Sequence, residues 1–169
     1  VTEKQVYEVV RECKGYEIRR YAPHLVAEVT IEAGFERAGM AAFGRLVSFI
    51  NGANGTQTRM AMTAPVIQSP AAQDNQHVVA FVLPAGTSAA DVPQPTDASV
   101  TVRALETETA AALKFSGRWT FNSFEKHRMR LEAALKRDGI EAMGPARYAR
   151  FDPPWTPWFM RHNEVVIPV

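Results

Sequence analysis

The segment Asp152 to Val165, DPPWTPWFMRHNEV, sets Pro153, Pro154 and Pro157 around Trp155, Trp158 and Phe159, then runs into Arg161, His162, Asn163 and Glu164. Proline fixes φ and has no backbone N–H, so three prolines in five residues exclude a helix interior and the middle of a sheet. A stiff, extended loop is expected here. Two of the chain's three tryptophans lie in it; the third is Trp119. Aromatic surface of this size is seldom left exposed without a use, so the loop is expected either to cover the core or to wall a ligand site.

The rest of the chain reads as alternating short strands and two helices. Strands are expected at Val6–Arg11, Tyr16–Tyr21 and Leu25–Ile31, each bounded by turn residues. A first helix opens at Gly34 and closes at Asn51-Gly52. Met60–Ile67 and Val78–Leu83 read as further strands, and the Pro-, Ala-, Ser- and Asp-rich stretch Pro84 to Ser99 as a long connection. Val100–Leu105 and Ala110–Phe115 follow as strands. A second helix is expected over Asn122–Lys136, with Asn122 as N-cap, Glu125 reaching back to it, and Gly139 at the C-terminal end. Ala146–Phe151 and Glu164–Val169 complete the strands. Both halves thus run strands, helix, strands. The expected class is α+β, an antiparallel curved sheet or open barrel flanked by two helices. With 169 residues, the simplest organisation is one domain over 1–169.

The first helix has more apolar surface than packing on a sheet requires. At about 100° per residue, the positions from Ala38 through Phe35, Leu46, Gly39 and Ile50 to Phe43, Val47 and Met40 span roughly 200°. Only Glu36 interrupts this arc. The sheet is expected to take its middle, at Phe35, Gly39, Leu46 and Ile50. The Met40, Phe43 and Val47 edge then needs a second cover, either the aromatic loop itself or a flat apolar ligand held between helix and loop. Met60 and Met62, on one face of the expected strand, suit an adaptable wall.

Composition excludes several classes. Net charge is +1, with no concentrated basic face of the kind that nucleic acid requires. No apolar run approaches the roughly 18 residues of a membrane span. The lone Cys13 allows no internal disulfide and fits a reducing, cytoplasmic setting. His24, His77, His127 and His162 show no zinc-ligand spacing, and no nucleophile–base set or phosphate-binding glycine loop is present. A non-enzymatic binding protein is therefore expected. Asp152 is read as a turn contact before the prolines and Glu164 as the partner of a nearby arginine. His127, between Lys126 and Arg128, is read as solvated. His162 and His24 are the weak candidates for an iron ligand.

YEIRRY (Tyr16 to Tyr21), FINGAN (Phe49 to Asn54), MAMTAPV (Met60 to Val66), FVLP (Phe81 to Pro84) and DPPWTPWFMRHNEV together resemble the SOUL haem-binding protein family, in the same order and over nearly the whole chain. That resemblance implies a distorted antiparallel β-barrel with two long helices and a pseudo-twofold repeat. It also implies binding of haem or another tetrapyrrole in a hydrophobic cleft between the first helix and the loop before the last strand. On this chain the implied positions are Met40, Phe43 and Val47 with Trp158 and Phe159. Arg161 and Arg45 are candidates to meet the propionates. Some members have His where this chain has Arg20 and are thought to use it as an iron ligand. Met40 and Ser48 stand where others carry Arg or Lys. Weak, different or no axial ligation is therefore expected, with apolar burial as the driving force. The fold also resembles effector-binding domains of multidrug-responsive regulators. A sensor of flat cationic compounds, with Glu36 as its carboxylate, is the alternative.

Overall fold

The computed structural model describes residues 2–169. The strands are β1 (Glu3–Lys4), β2 (Tyr7–Cys13), β3 (Tyr16–Tyr21), β4 (His24–Glu32), β5 (Thr63–Ala64), β6 (Val66–Pro70), β7 (Gln76–Val82), β8 (Thr101–Leu105), β9 (Glu108–Phe115), β10 (Arg147–Arg150) and β11 (Asn163–Pro168). The helices are α1 (Phe35–Ile50) and α2 (Phe121–Arg137). The class is α+β, with two helices on antiparallel strands, as expected. The chain falls into two compact units. One comprises the N-terminal residues through Gln5 with Pro23–Glu106, the other Val6–Ala22 with Thr107–Val169.

In the first unit the strand order is β6-β7-β4-β8, every neighbour antiparallel. Leu25, Ala27, Val29 and Ile31 alternate along β4 and meet Ala38, Ala42, Leu46 and Phe49 of α1 in one buried cluster. Val26, Ile67, Ala80 and Val82 form a second cluster. The buried Gln68 side chain donates to the Phe35 carbonyl at 2.9 Å and so ties β6 to the start of α1. At the other end Asn51 caps the helix and Gly52 takes φ +114°, a value that side chains resist. Buried Asn54 then folds the FINGAN turn: its Nδ2 donates to the Phe49 and Thr58 carbonyls, and its Oδ1 accepts from the Thr56 and Thr58 amides.

In the second unit the order is β2-β3-β9-β11-β10, again antiparallel. Both units therefore place a strand–helix–strand–strand run in the same way. β4, α1, β6 and β7 correspond to β9, α2, β10 and β11, with the helix following the first strand and the last strand pairing between the other two. This is the repeat of element order that the sequence led one to expect. In α2, Phe124, Leu131 and Leu135 are buried, and Phe124 meets Phe115 of β9 edge-on at 5.3 Å between ring centroids.

Several expectations are corrected locally. Met60–Ile67 is not one strand. Pro65 has no N–H to give a ladder, and the run divides into β5, paired in parallel with β1, and β6, paired with β7. Met60 and Met62 precede both, so they share no strand face. The N-cap of α2 is Thr120, whose hydroxyl accepts from the Ser123 amide, not Asn122. Glu125 is drawn to Arg128 and Tyr148. Asp138 caps the far end and Gly139, at φ +69°, follows it. The bonds Gly139 N–H to Lys136 O and Ile140 N–H to Leu135 O close the turn as a Schellman motif. His127 is half-buried, not solvated. It stacks on Phe115 at 3.7 Å, with Nδ1 2.6 Å from the Ser123 carbonyl. Burial, opposed by that bond, leaves its pKa below the ordinary value.

Candidate functional site

The first candidate surface is the edge of α1. Phe35, Ala38, Ala42, Leu46, Phe49 and Ile50 are the buried residues of the helix, so burial covers most of the expected middle of the apolar arc and extends to its Ala38, Ala42 and Phe49 end. Gly39 is only partly buried. The small Ala38 and Ala42 let the helix approach closely on that side. The other end is left uncovered. Met40 is 81% exposed, Phe43 is exposed while its ring meets Phe81 edge-on at 5.8 Å, and Val47 is half-buried against the core. Gly44 on the same side adds no side chain, and a Cβ built there would touch nothing within 4 Å. Glu36, in the first turn, suits the positive end of the helix dipole. Arg45 is exposed and donates to the Ser99 hydroxyl at 3.1 Å.

The second is the aromatic loop, residues 152–162. It is not extended throughout, because Trp158–Met160 form one turn of 3-10 helix. Bonds from Thr156 N–H to Pro153 O, Met160 N–H to Pro157 O and Arg161 N–H to Trp158 O fold it into consecutive turns. Prolines at the turn starts have no N–H to lose. The loop leaves Trp155 83%, Phe159 61% and Met160 66% exposed. Trp158 meets Phe159 edge-on at 5.6 Å, and the Arg118 guanidinium lies 4.6 Å from the Trp158 ring. Arg161 braces the loop from within. Its Nε donates to the Thr156 carbonyl at 3.0 Å, its Nη2 to the Pro154 carbonyl at 2.9 Å, and its guanidinium lies 4.1 Å from the Trp119 ring. Of the two arginines considered for propionates, Arg45 is thus the more open.

The loop joins β11 through a buried ionic network. Arg19 holds Glu164 in a two-pronged ion pair at 2.6 and 2.9 Å, both side chains buried. Arg19 also donates to Glu17 at 2.7 Å and to the Tyr21 hydroxyl at 3.0 Å, and lies 4.0 Å from the Tyr7 ring. Ala110 and Ala112, opposite Arg19 and Glu17 in the ladder, leave room for these long side chains. Burial opposes charge on Arg19, but its bonds to Glu164 and Tyr21 win and raise its pKa. Burial likewise opposes charge on Glu164. Hydrogen bonds from His162 and Arg19 outweigh it and hold the carboxyl below its usual range.

His162 is the hinge of this arrangement. Its Nε2 lies 2.8 Å from Glu164, its ring stacks on Phe151 at 4.0 Å, and its amide donates to Asp152. Asp152 thus makes the expected turn contact, and Glu164 pairs with an arginine as expected. Buried Asn163 accepts from the Trp119 indole at 2.8 Å and donates to the Gly117 carbonyl at 3.0 Å. His24, the other candidate ligand, begins β4 with its Nε2 3.2 Å from the Gln5 amide. Among the described residues no group of three or more His, Cys, Asp or Glu side chains is placed to hold a metal ion. Arg20, exposed, pairs with Glu8 at 3.3 Å. The residue that sequence reasoning did not single out is Arg19. Alternation in YEIRRY puts it on the face opposite Tyr16 and Ile18, with Glu17 and Tyr21, and the structure buries it there.

Two curated relatives, the Heme-binding protein 1 of Xenopus tropicalis and that of Xenopus laevis, are each 25% identical over 140 residues, covering 76% of this chain and 74% of theirs. Among solved structures, the EcmrR C-terminal domain superposes with a TM-score of 0.63 at 11% identity, covering 96% of this chain and 97% of that one. The EcmrR chain in a complex with DNA gives 0.68 at 11% identity, and this chain, 92% covered, spans 58% of it. SAV2435 bound to tetraphenylphosphonium gives 0.53 at 14% identity, covering 91% and 93%. At these identities the structural likenesses establish the fold alone. The sequence profile of the SOUL heme-binding proteins matches residues 2–168, and the chain belongs to that family.

Proposed function

We propose that this protein binds haem or a related tetrapyrrole without catalysing a reaction. The observation that carries the proposal is the exposed apolar edge of α1 at Met40 and Phe43, with half-buried Val47 beside them, on a helix already anchored by its opposite face. A helix that only had to pack on β4 and β7 would need no such surface. Trp158 and Phe159 of the loop are a separate candidate apolar surface, and membership of a haem-binding family supports tetrapyrrole binding as such. Arg45 is the open cation for a propionate, whereas Arg161 is engaged by the loop's own carbonyls. Bound haem would supply the iron and its absorption, and the protein would supply apolar contact and exclusion of water. Axial ligation is weak or absent in this reading, because His162 is already engaged with Glu164.

A haemin titration followed in both iron oxidation states tests this. The expected result is a saturable, shifted Soret band with quenching of tryptophan fluorescence. Phe43→Ala and Trp158→Ala should each weaken binding at least about tenfold, or about 1.4 kcal/mol. If only one of them does, the site belongs to that surface alone; if neither does, both assignments fail.

The sensor reading has one specific support, the likeness to a fold solved with tetraphenylphosphonium together with an acid, Glu36, inside the apolar arc of α1. Parallel titrations with haemin and tetraphenylphosphonium separate the two. Saturation by the phosphonium alone, lost in Glu36→Gln, would favour the sensor.

A further inference from the structure

Trp155 and Met160 are the most exposed large apolar side chains of the loop, and the tetrapyrrole reading gives neither a task. The backbone beneath them has an unusual property. The carbonyls of Pro153, Pro154, Thr156, Pro157 and Trp158 all accept hydrogen bonds within the loop, the second and third from the Arg161 side chain. Pro153, Pro154 and Pro157 have no N–H to satisfy. Leaving water costs a loop mainly through its unpaired backbone groups, and here most have been removed or paired in advance. Such a tip can enter an apolar phase while keeping its shape. The side chains it presents, two Trp, a Phe and a Met, have the apolar bodies of interfacial anchors, and the tryptophans carry a polar edge as well. The exposed Arg118 lies against Trp158 and sets positive charge at the base of the tip. The Asp152 carboxylate is turned inward to the His162 amide, and Glu164 is neutralised by Arg19.

We propose that residues Trp155, Trp158, Phe159 and Met160 form a peripheral anchor that docks this protein reversibly on an anionic lipid surface, with Arg118 against the headgroups. A protein partner would need complementary donors and acceptors, which a tip with most of its backbone groups removed or paired offers sparingly. A lipid boundary needs none. Neither helix among the described residues is long and apolar enough to cross a membrane, so the contact is interfacial.

The test uses the ligand-free full chain with sedimenting vesicles of phosphatidylcholine, with and without about 30% phosphatidylserine. Expected are co-sedimentation with the anionic vesicles, a blue-shifted tryptophan emission and quenching by brominated acyl chains. Trp155→Ala with Met160→Ala should lower vesicle partitioning by about tenfold or more, and Arg118→Glu should lower it on anionic vesicles. Haemin binding and the thermal midpoint of the Trp155/Met160 variant should stay as in the parent, so failure of this inference and failure of the tetrapyrrole reading show up separately. The proposal is overturned if the parent does not sediment with anionic vesicles, if it sediments equally with both kinds, or if the double variant partitions unchanged. It is equally overturned if light scattering shows a dimer that the same substitutions abolish, since the patch would then serve a second copy of the chain.

Discussion

The two units share a plan of strand, helix and two further strands, yet differ in what they bury and in which element carries the exposed apolar surface. In the first unit the buried polar groups Asn54, Thr63 and Gln68 are uncharged, and the surplus lies outside, as apolar surface on α1. In the second, α2 has a narrow apolar stripe and a charged outer face, with Arg128 paired to both Glu125 and Glu132. Its interior differs, with Arg19 and Glu164 buried as charges, and its exposed apolar surface lies on the aromatic loop and not chiefly on its helix. Packing a helix on a sheet explains most of α2, whose exposed apolar residues Phe121 and Met129 are eight positions apart, but leaves the clustered Met40 and Phe43 of α1 unexplained. The part left over marks where binding should be sought. The buried charges of the second unit serve another end, fixing the strand that follows the aromatic loop to the sheet.

The hardest blow to this contrast is Glu164→Gln. It leaves Arg19 buried beside a neutral amide, and a loss of about 3–5 kcal/mol in urea denaturation is expected. No exposed residue of α1 should approach that. Leu46→Ala and Leu131→Ala probe the two anchored helix faces and should cost about 2–5 kcal/mol each, since both side chains are fully buried. If the units differ only in chemistry and not in how firmly their helices are seated, the two losses should be alike.

Met40→Ala separates binding from packing. Its stability cost should stay within about 0.5 kcal/mol because the side chain is exposed, while haemin affinity falls severalfold. A large stability loss with unchanged binding would erase the functional reading of the α1 edge.

Acid should act mostly on the second unit. The Glu164 carboxyl is depressed in the fold, so its contribution is present above the ordinary value near 4.5 and disappears as pH falls through the lower folded value. His127 acts earlier. Burial lowers its pKa, so below 6.5 the unfolded chain takes up protons that the folded one refuses, and stability declines with falling pH. Between about pH 7.5 and 5.5, His127→Phe should lose less stability than the parent, measured by urea midpoint. A small effect of opposite sign is expected from Gly44→Ala. A helix-interior glycine costs up to about 1 kcal/mol against alanine, and the new methyl meets nothing, so slight stabilisation should follow. A drop in haemin affinity in the same variant would mark the bare backbone at Gly44 as part of the ligand surface.

Much of this was legible in the chain itself. The limits of α1, the strands at Tyr16–Tyr21 and around Val26, and the long connection before Val100 follow from apolar periodicity and from where glycine and proline interrupt it. The excess apolar width of α1 is a property of sequence too, because helix geometry is regular enough to project. Prolines likewise determined that residues 153–157 could be neither helix nor ladder. Tertiary structure decided which part of the α1 arc the sheet covers, since that depends on how closely Ala38 and Ala42 let the helix approach. It decided that Thr120, not Asn122, caps α2, a choice between neighbouring residues of similar chemistry. Above all it decided that Arg19, Glu164 and His162 meet. Alternation along a strand says which residues share a face, but whether a charged face is wetted or buried depends on what lies opposite it. For Arg19 that is Glu164, far along the chain, and only the folded sheet brings the two together.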